Sequence, residues 1–292
     1  MKESVCAIVV THNRPKLLLE CIDGLKKQTY TLDAIYIIDN ASNIDIFSLL
    51  KEKGYIDEKT HYIRLAKNIG GAGGFNEGMK RAYKDGYDWF WLMDDDVVPV
   101  KDGLEKMLKY STISKCIHPS KRYSNGNRIV FEGYLDLRFP KTVFYKDDIS
   151  FNNKKDFTFI NYGCFEGMLI HRNIVKKIGF PDKRFFITWD DTIYGFLASL
   201  YTCNIYIKDV VIIKKLKQER LSKLSTYHYI KNHFIVFEYL KKFGTFNCWS
   251  YIFLLLKSIR MSIGCIIYDL DFKKLLLIWK GFFDGLFKRY TN

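Results

Sequence analysis

The chain has 292 residues, 48% of them hydrophobic and 16% aromatic, enough to bury a large core and too apolar for a disordered class. Its formal charge is +14, and residues 208–292 carry 16 basic and 6 acidic side chains, a net of +10, so the excess lies in the tail and calls for an anionic partner, a nucleic acid or a membrane surface. Seven scattered cysteines form neither a CxxC metal pattern nor a disulfide framework, which points to reduced thiols in a cytoplasmic protein.

In chain order, residues 5–10 read as a buried β-branched strand, too short an apolar run for a secretory leader. Thr11-His12-Asn13-Arg14-Pro15 follows, and Leu18, Leu19, Ile22 and Leu25 give 16–27 a helical spacing with proline near its start. A second strand over 34–38 ends in Asp39-Asn40-Ala41-Ser42, a short helix covers 44–53, and a third strand covers 61–65. The glycines at 70, 71, 73 and 74 then lead into a helix over 75–83. They follow the third strand rather than the first, so the nicotinamide fingerprint does not apply. Such a loop either brings backbone N–H groups to a phosphate or ribose or simply makes a tight strand-to-helix turn.

The run Trp89-Phe90-Trp91-Leu92-Met93 is a buried strand that ends in Asp94-Asp95-Asp96. Three adjacent carboxylates either hold a hard divalent cation or cap a helix starting near Lys101. That helix extends to about 113, and residues 114–161 read as Tyr-, Lys- and Asn-rich strands and turns. Residues 161–170 read as one strand with glycines at points of close approach, and 174–178 as a short helix ending at Gly179. Residues 185–191 repeat the earlier design, an apolar run ending in the acidic pair Asp190-Asp191, followed by a helix over 192–200. Strands alternating with helices indicate a mainly parallel α/β sheet, whose ligands sit beyond the carboxyl ends of the strands, where Asp39 and the triplet fall. A second acidic pair near the first supplies a general base beside a metal site.

The ordered set VVTHNRP (9–15), IIDNAS (37–42), NIGGAGGFNEG (68–78), WLMDDD (91–96), GCFEGMLI (163–170) and IGFPDKRFFITWDD (178–191) resembles the inverting glycosyltransferases of family 2, over roughly residues 5–211. Within the family it looks most like the galactofuranosyl- and rhamnosyltransferases that build bacterial surface and capsular polysaccharide. The resemblance implies the GT-A fold, a Rossmann-like α/β domain with a mixed, mainly parallel sheet and here a C-terminal helical extension. The catalytic domain is expected over 1–215, with 1–100 as the nucleotide-binding half and 101–215 as the acceptor half; 216–292 forms the basic extension.

Carried over by motif, Thr11, Asn13, Arg14 and Asp39 hold the nucleoside, and Asn68 and Gly71 line the ribose and diphosphate path. Asp94 and Asp96 hold Mn²⁺ or Mg²⁺ against the diphosphate of a UDP- or dTDP-sugar, with Asp95 beside the donor. Asp191 is the base that deprotonates the acceptor hydroxyl, and Glu166, Trp189 and Asp190 contact acceptor or sugar. Three departures accompany this pattern. Ile193 and Leu197 stand where relatives carry Glu and Arg, Lys231 replaces an Arg before Asn232, and Lys214 or Lys215 stands near the usual third metal ligand, a histidine. A lysine there can meet the diphosphate as a point charge. The departures also fit a catalytically weak or silent relative that binds nucleotide sugar or scaffolds a polysaccharide complex.

In the tail, 227–240 is helical, and Trp249, Ile252, Phe253, Leu256, Ile259, Ile263 and Ile267 fall on one helical face. Leu275, Trp279, Phe282, Phe283 and Leu286 repeat the pattern opposite Lys273, Lys274, Lys280, Lys288 and Arg289. The longest charge-free run, 243–256, is too short to span a bilayer. The pattern fits a helix lying in an anionic membrane surface, as a lipid-linked oligosaccharide acceptor requires, or a helical pair packed on the catalytic domain or a sister subunit. No nucleic-acid recognition motif accompanies the charge, so no nucleic-acid partner is expected. The expected location is the cytoplasm, peripheral on the inner membrane face.

Overall fold

The computed structural model describes residues 3–136, 141–144, 156–217, 221–243 and 246–290. The first half alternates β1 (Val5–Thr11), α1 (Pro15–Lys26), β2 (Ala34–Asp39), α2 (Ile46–Glu52), β3 (Thr60–Arg64), α3 (Gly70–Lys84) and β4 (Trp89–Asp94). Strands β1 to β4 run parallel, in spatial order β3-β2-β1-β4. Successive side chains of a strand point to opposite faces. Thus Val5, Ala7, Val9, Trp89, Trp91 and Met93 pack into one core with α1, while Cys6, Ile8, Val10, Phe90 and Leu92 pack into another with α3. Burial on both faces is why these strands read as continuous apolar runs.

Past β4 the sheet continues as β11-β6-β12-β10 and becomes mixed. These strands are β6 (Cys116–Tyr123), β10 (Phe157–Phe159), β11 (Leu169–His171) and β12 (Ile205–Lys214). β11 lies antiparallel between β4 and β6, while β12 runs parallel to β6. The short β5 (Val97–Pro99) follows the acidic triplet and pairs with the end of β12, setting Lys214 opposite Val97. Strand β7 (Arg128–Ile129) extends β6, and β8 (Gly133–Asp136) pairs with β9 (Lys141–Phe144) as a separate ribbon. Helices α4 (Gly103–Leu108), α5 (Arg172–Ile178) and α6 (Asp190–Ser199) complete the part built around this sheet.

The C-terminal part is α7 (Lys223–Lys242), α8 (Trp249–Gly264) continued by a wider turn over Cys265–Asp269, and α9 (Phe272–Leu286). Helix α7 is embedded: Ile230, Asn232, Ile235 and Phe237 are buried against Phe185, Trp189 and Phe196 of the part built around the sheet. Helix α9 lies on α7 through Gly281 and Gly285, where any Cβ would overlap the Tyr227 carbonyl or the Phe234 ring. Helix α8 sits outermost, with Trp249, Phe253, Leu256 and Ile263 exposed and Leu254, Ser258 and Ser262 facing inward.

Several expectations are corrected. The glycine stretch is not a loop before the helix but the first turn of α3, which starts at Gly70. Gly70 has φ +76°, and a Cβ there would overlap the Phe186 carbonyl, so only glycine fits. Residues 161–170 are not one strand: Tyr162 makes an isolated bridge to Gly133 and only Leu169–His171 form a strand, because the chain turns at Gly167 with φ +92° to bring Glu166 to the sheet end. The second acidic pair does not end a strand. It follows a 3₁₀ turn over Lys183–Phe185 and starts α6. Helix α4 ends at Leu108, and turns follow to residue 113. The charge-free run 243–256 is indeed short, but the helical run Trp249–Asp269, with Lys257 and Arg260 in it, is 21 residues long and its most apolar 18-residue window has mean hydropathy 1.6, enough by length and composition alone to cross a membrane. Only 28% of its most apolar window is buried.

Candidate active site

The acidic triplet falls in the tight turn between β4 and β5, at the carboxyl edge of the parallel strands. The turn splits its members. Asp95 points back to β1, accepting from Thr11 Oγ1 at 2.7 Å and from Arg14 Nη1 at 3.3 Å. Asp96 also lies 3.8 Å from the same Arg14 Nη1, and Asp94, Asp96 and Glu166 bring one carboxylate oxygen each within 4.8 Å of one another. Desolvation, then the charges of Asp96 and Glu166, pushes the Asp94 carboxyl well above its ordinary range. Burial likewise raises Asp95, against the pull of Thr11 and Arg14.

Lys214, carried in by the end of β12, completes the cluster. Its Nζ donates to Glu166 Oε1 at 2.6 Å and to both oxygens of Asp96 at 3.2 Å. Lys215 turns away to Glu20, at 2.7 Å. Burial opposes the Lys214 charge, but Glu166 and Asp96 outweigh it and hold the ammonium protonated. Glu166 Oε2 is buried with no hydrogen-bond partner among the described residues. Three hard oxygen donors with one unfilled acceptor fit a divalent ion held by Asp94, Asp96 and Glu166. Glu166 was expected only as a substrate contact, and its place among the donors follows from the turn at Gly167.

Two cavities open on this cluster. The first, of about 370 Å³, is lined by Thr11, Arg14, Asn68, Gly71, Asp94 and Asp95, among others. It thus gathers most of the residues expected around the donor. Asn68 Oδ1 accepts the Gly70 N–H and so fixes the start of α3, while a Cβ on Gly71 would meet nothing within 4 Å. Asn13 is at φ +55° and accepts the Asn43 N–H through Oδ1. Asp39 is fully buried at the end of β2, and its carboxylate accepts from the Ser42 N–H at 2.8 Å and the Tyr62 hydroxyl at 2.6 Å. Asn40 braces the same rim, donating to the Gly70 carbonyl and accepting from the Ile69 N–H.

The second cavity, of about 400 Å³, is walled by Phe131, Trp189 and Tyr229 and holds Glu166, Asp191 and Thr192. Asp191 Oδ1 accepts the Thr192 N–H at 2.6 Å. Burial first, with Glu166 adding to it, pushes the Asp191 carboxyl up to about 6. Asp190 is buried behind it, and desolvation and the Asp191 charge raise its carboxyl further.

The loop into Asp190 and Asp191 is strained. Phe186, Thr188 and Trp189 have φ of +63°, +66° and +71°, a region non-glycine residues enter only at a cost. Asn232 of α7 clamps it. Its Nδ2 donates to the carbonyls of Phe185, Ile187 and Thr188 at 2.8, 2.8 and 3.0 Å. Sequence reading passed over this residue, since a lone Asn on an amphipathic helix carries no signal. His228 and His233 pack on Phe186 and Trp189, and burial lowers them to about 4 and about 3; among the described residues neither belongs to the Asp94, Asp96 and Glu166 group. Behind the cavity lies a buried ion pair, Lys121 with Glu132, whose ammonium also reaches Cys164 Sγ at 3.1 Å.

A half-parallel, half-mixed sheet with a carboxylate cluster at the end of β4 and a glycine-started helix beside it is the GT-A scaffold of nucleotide-sugar transferases. The solved structures agree. S. aureus TarS 1-349 in complex with UDP matches with TM-score 0.55 at 14% identity over 80% of this chain and 64% of that one. GalNAc-T7 with UDP, GalNAc and Mn²⁺ matches with TM-score 0.62 at 13% identity over 78% of this chain and 47% of that one. The chain belongs to glycosyltransferase family 2, whose family profile matches residues 6–179. It is similar to galactofuranosyltransferase GlfT1 of Mycolicibacterium smegmatis, 28% identical over 198 residues, 65% of this chain and 63% of that protein.

Proposed function

We propose that the protein is an inverting glycosyltransferase that moves a galactofuranose-, rhamnose- or galactose-like sugar from a UDP- or dTDP-sugar to a lipid-linked glycan of a bacterial capsule or other cell-surface polysaccharide. One observation carries this reading. Asp94 of the carboxylate cluster lines the first cavity, and Glu166 of the same cluster lines the second together with the raised Asp191. A donor whose diphosphate lies over Asp94 and Asp96 thereby places its anomeric carbon toward Asp191. Thr11 and Arg14 line the cavity that takes the nucleoside, Asn13 and the buried Asp39 brace its rim through Asn43, Ser42 and Tyr62, and Asn68 and Gly71 flank ribose and diphosphate. Asp191, its pKa near the working range, takes the proton of the acceptor hydroxyl as that oxygen attacks from the face opposite the leaving group. Trp189 offers an aromatic platform to the acceptor sugar, and Asp190 supports the base. A divalent ion, Mn²⁺ or Mg²⁺, held by Asp94, Asp96 and Glu166, supplies Lewis-acid neutralisation of the leaving diphosphate.

The outer face of α8 and α9 supports attachment to an anionic membrane surface, where a lipid-linked acceptor resides. Trp249, Phe253, Leu256 and Phe287 are 52–62% exposed beside Lys257, Arg260, Lys280 and Lys288. Replacing Phe253 and Leu256 with Glu should strip the protein from phosphatidylglycerol vesicles, and unchanged binding would remove the membrane from the reading. The decisive test of the chemistry is a screen of UDP- and dTDP-sugars for release of nucleoside diphosphate. Asp191→Asn should abolish transfer while donor affinity stays within about threefold. A second reading, a nucleotide-sugar binder without turnover, is favoured by Lys214 filling the cluster. Metal-stimulated donor hydrolysis by the wild type excludes it.

A further inference from the structure

The cation at the carboxylate cluster is already part of the chain. Lys214 Nζ reaches both oxygens of Asp96 and Oε1 of Glu166, which leaves two of the three candidate metal donors engaged. The Lys214 side chain is 9% exposed, so this is not a solvated surface pair. An ammonium has three donors and no lone pair. It cannot join a coordination shell and can only compete with one. At the same time Glu166 Oε2 is buried without a partner among the described residues, so the cluster retains acceptor capacity that the lysine leaves unused. Lys214 pairs with Val97 as the last residue of β12, and its four-carbon stem has the rotatable bonds to re-aim the ammonium while the strand stays fixed.

We propose that Lys214 is the resident counter-ion of the donor site, and that a divalent ion enters only together with a nucleoside diphosphate, whose oxygens draw the ammonium off Asp96 and Glu166. The inference rests on the metal-site reading above and adds an order to it. In the empty site the lysine blocks the metal. With diphosphate present the lysine moves a few ångströms onto a phosphate oxygen, and the carboxylates are released. Metal and diphosphate therefore bind cooperatively, and by linkage each strengthens the other by the same factor.

The test measures Mn²⁺ binding to the full chain by the electron paramagnetic resonance signal of free Mn²⁺, with and without UDP or dTDP, in the wild type, Lys214→Met and Lys214→Arg. In the wild type, the nucleotide should tighten Mn²⁺ binding at least about tenfold. Lys214→Met should bind Mn²⁺ alone roughly tenfold or more tighter than the wild type, since a competing charge within hydrogen-bond distance is gone, and its coupling to nucleotide should collapse. Lys214→Arg, which keeps the cation, should retain weak binding and coupling. Circular dichroism establishes that each variant is folded, and the wild-type coupling needs no variant at all. Tight, nucleotide-independent Mn²⁺ binding by the wild type, or no gain in Lys214→Met, overturns the lysine proposal and leaves the metal site standing. Absence of Mn²⁺ binding in all three proteins with nucleotide present overturns both.

Discussion

Asn232→Ala tests whether the C-terminal helices are part of the catalytic site or an attachment to it. The Asn232 amide is fully buried on α7 and its two N–H groups serve three carbonyls of the loop before Asp190. Each such bond contributes about 0.5–1.5 kcal/mol net, and a buried carbonyl left without a donor costs about 1–3 kcal/mol. The loop it holds contains three non-glycine residues at positive φ, each costing on the order of 1–3 kcal/mol in isolation. Removing the amide therefore costs about 2–4 kcal/mol if the loop relaxes, and more if it keeps its strained form with its carbonyls bare. For a chain of this size that is a fall in Tm of roughly 5–10 °C. At temperatures where the variant is still folded, relaxation of Phe186 to Trp189 moves Asp191, and a displacement near 1 Å lowers turnover on the order of a hundredfold. Asn232→Asp keeps the shape but aims a carboxylate at three carbonyl oxygens, so it should be at least as damaging. Thermal denaturation and nucleoside diphosphate release measure the two effects. If both variants melt within about 1 °C of the wild type with normal turnover, the clamp does not hold the loop.

The remaining predictions concern the base, the glycines and the buried ion pair. Asp191 titrates near 6 in the folded protein because of burial, against about 3.9 when unfolded, so the folded state binds the extra proton between these values. Stability from this group is therefore present below about pH 4, falls as pH rises to about 6 and stays low above it. Asp191→Asn should accordingly raise Tm at pH 8 but hardly at pH 4, and wild-type turnover should show an acid limb near pH 6. Gly70→Ala forces a Cβ into the Phe186 carbonyl at positive φ and should cost about 2 kcal/mol or more, read by urea denaturation. Gly71→Ala meets open cleft, so stability should hold within about 0.5 kcal/mol while UDP affinity falls. Lys121→Met leaves Glu132 buried and uncompensated and should cost about 3–5 kcal/mol; a near-neutral result would mean the pair is solvated.

Much of the first half was legible because its signals are local. Strands buried on both faces read as apolar runs, helices announce themselves by spacing and by Pro15, and carboxylates at strand ends mark the ligand edge of a parallel sheet. Residues 161–191 were less legible. There the path is set by turns at Gly167, Phe186, Thr188 and Trp189 whose conformations are imposed by contacts with β4, α3 and α7 rather than by propensity. The glycine stretch misled for a related reason: its small residues permit close packing of a helix start on β1, and composition alone suggests a loop.

By itself, the sequence determined the family, the alternating α/β half, and the identity of the acidic residues, because each of these depends on residues within one element of one another. Only the tertiary structure decided what those acids face. Glu166 joins Asp94 and Asp96, Lys214 neutralises them from 118 positions away, and Asn232 holds the base loop. These meetings depend on sheet order and strand register, on β12 lying beside β6 and pairing with β5, and on α7 docking under the loop. A register shift of one residue would turn Lys214 to the other face of the sheet, and no local pattern of residues encodes that choice.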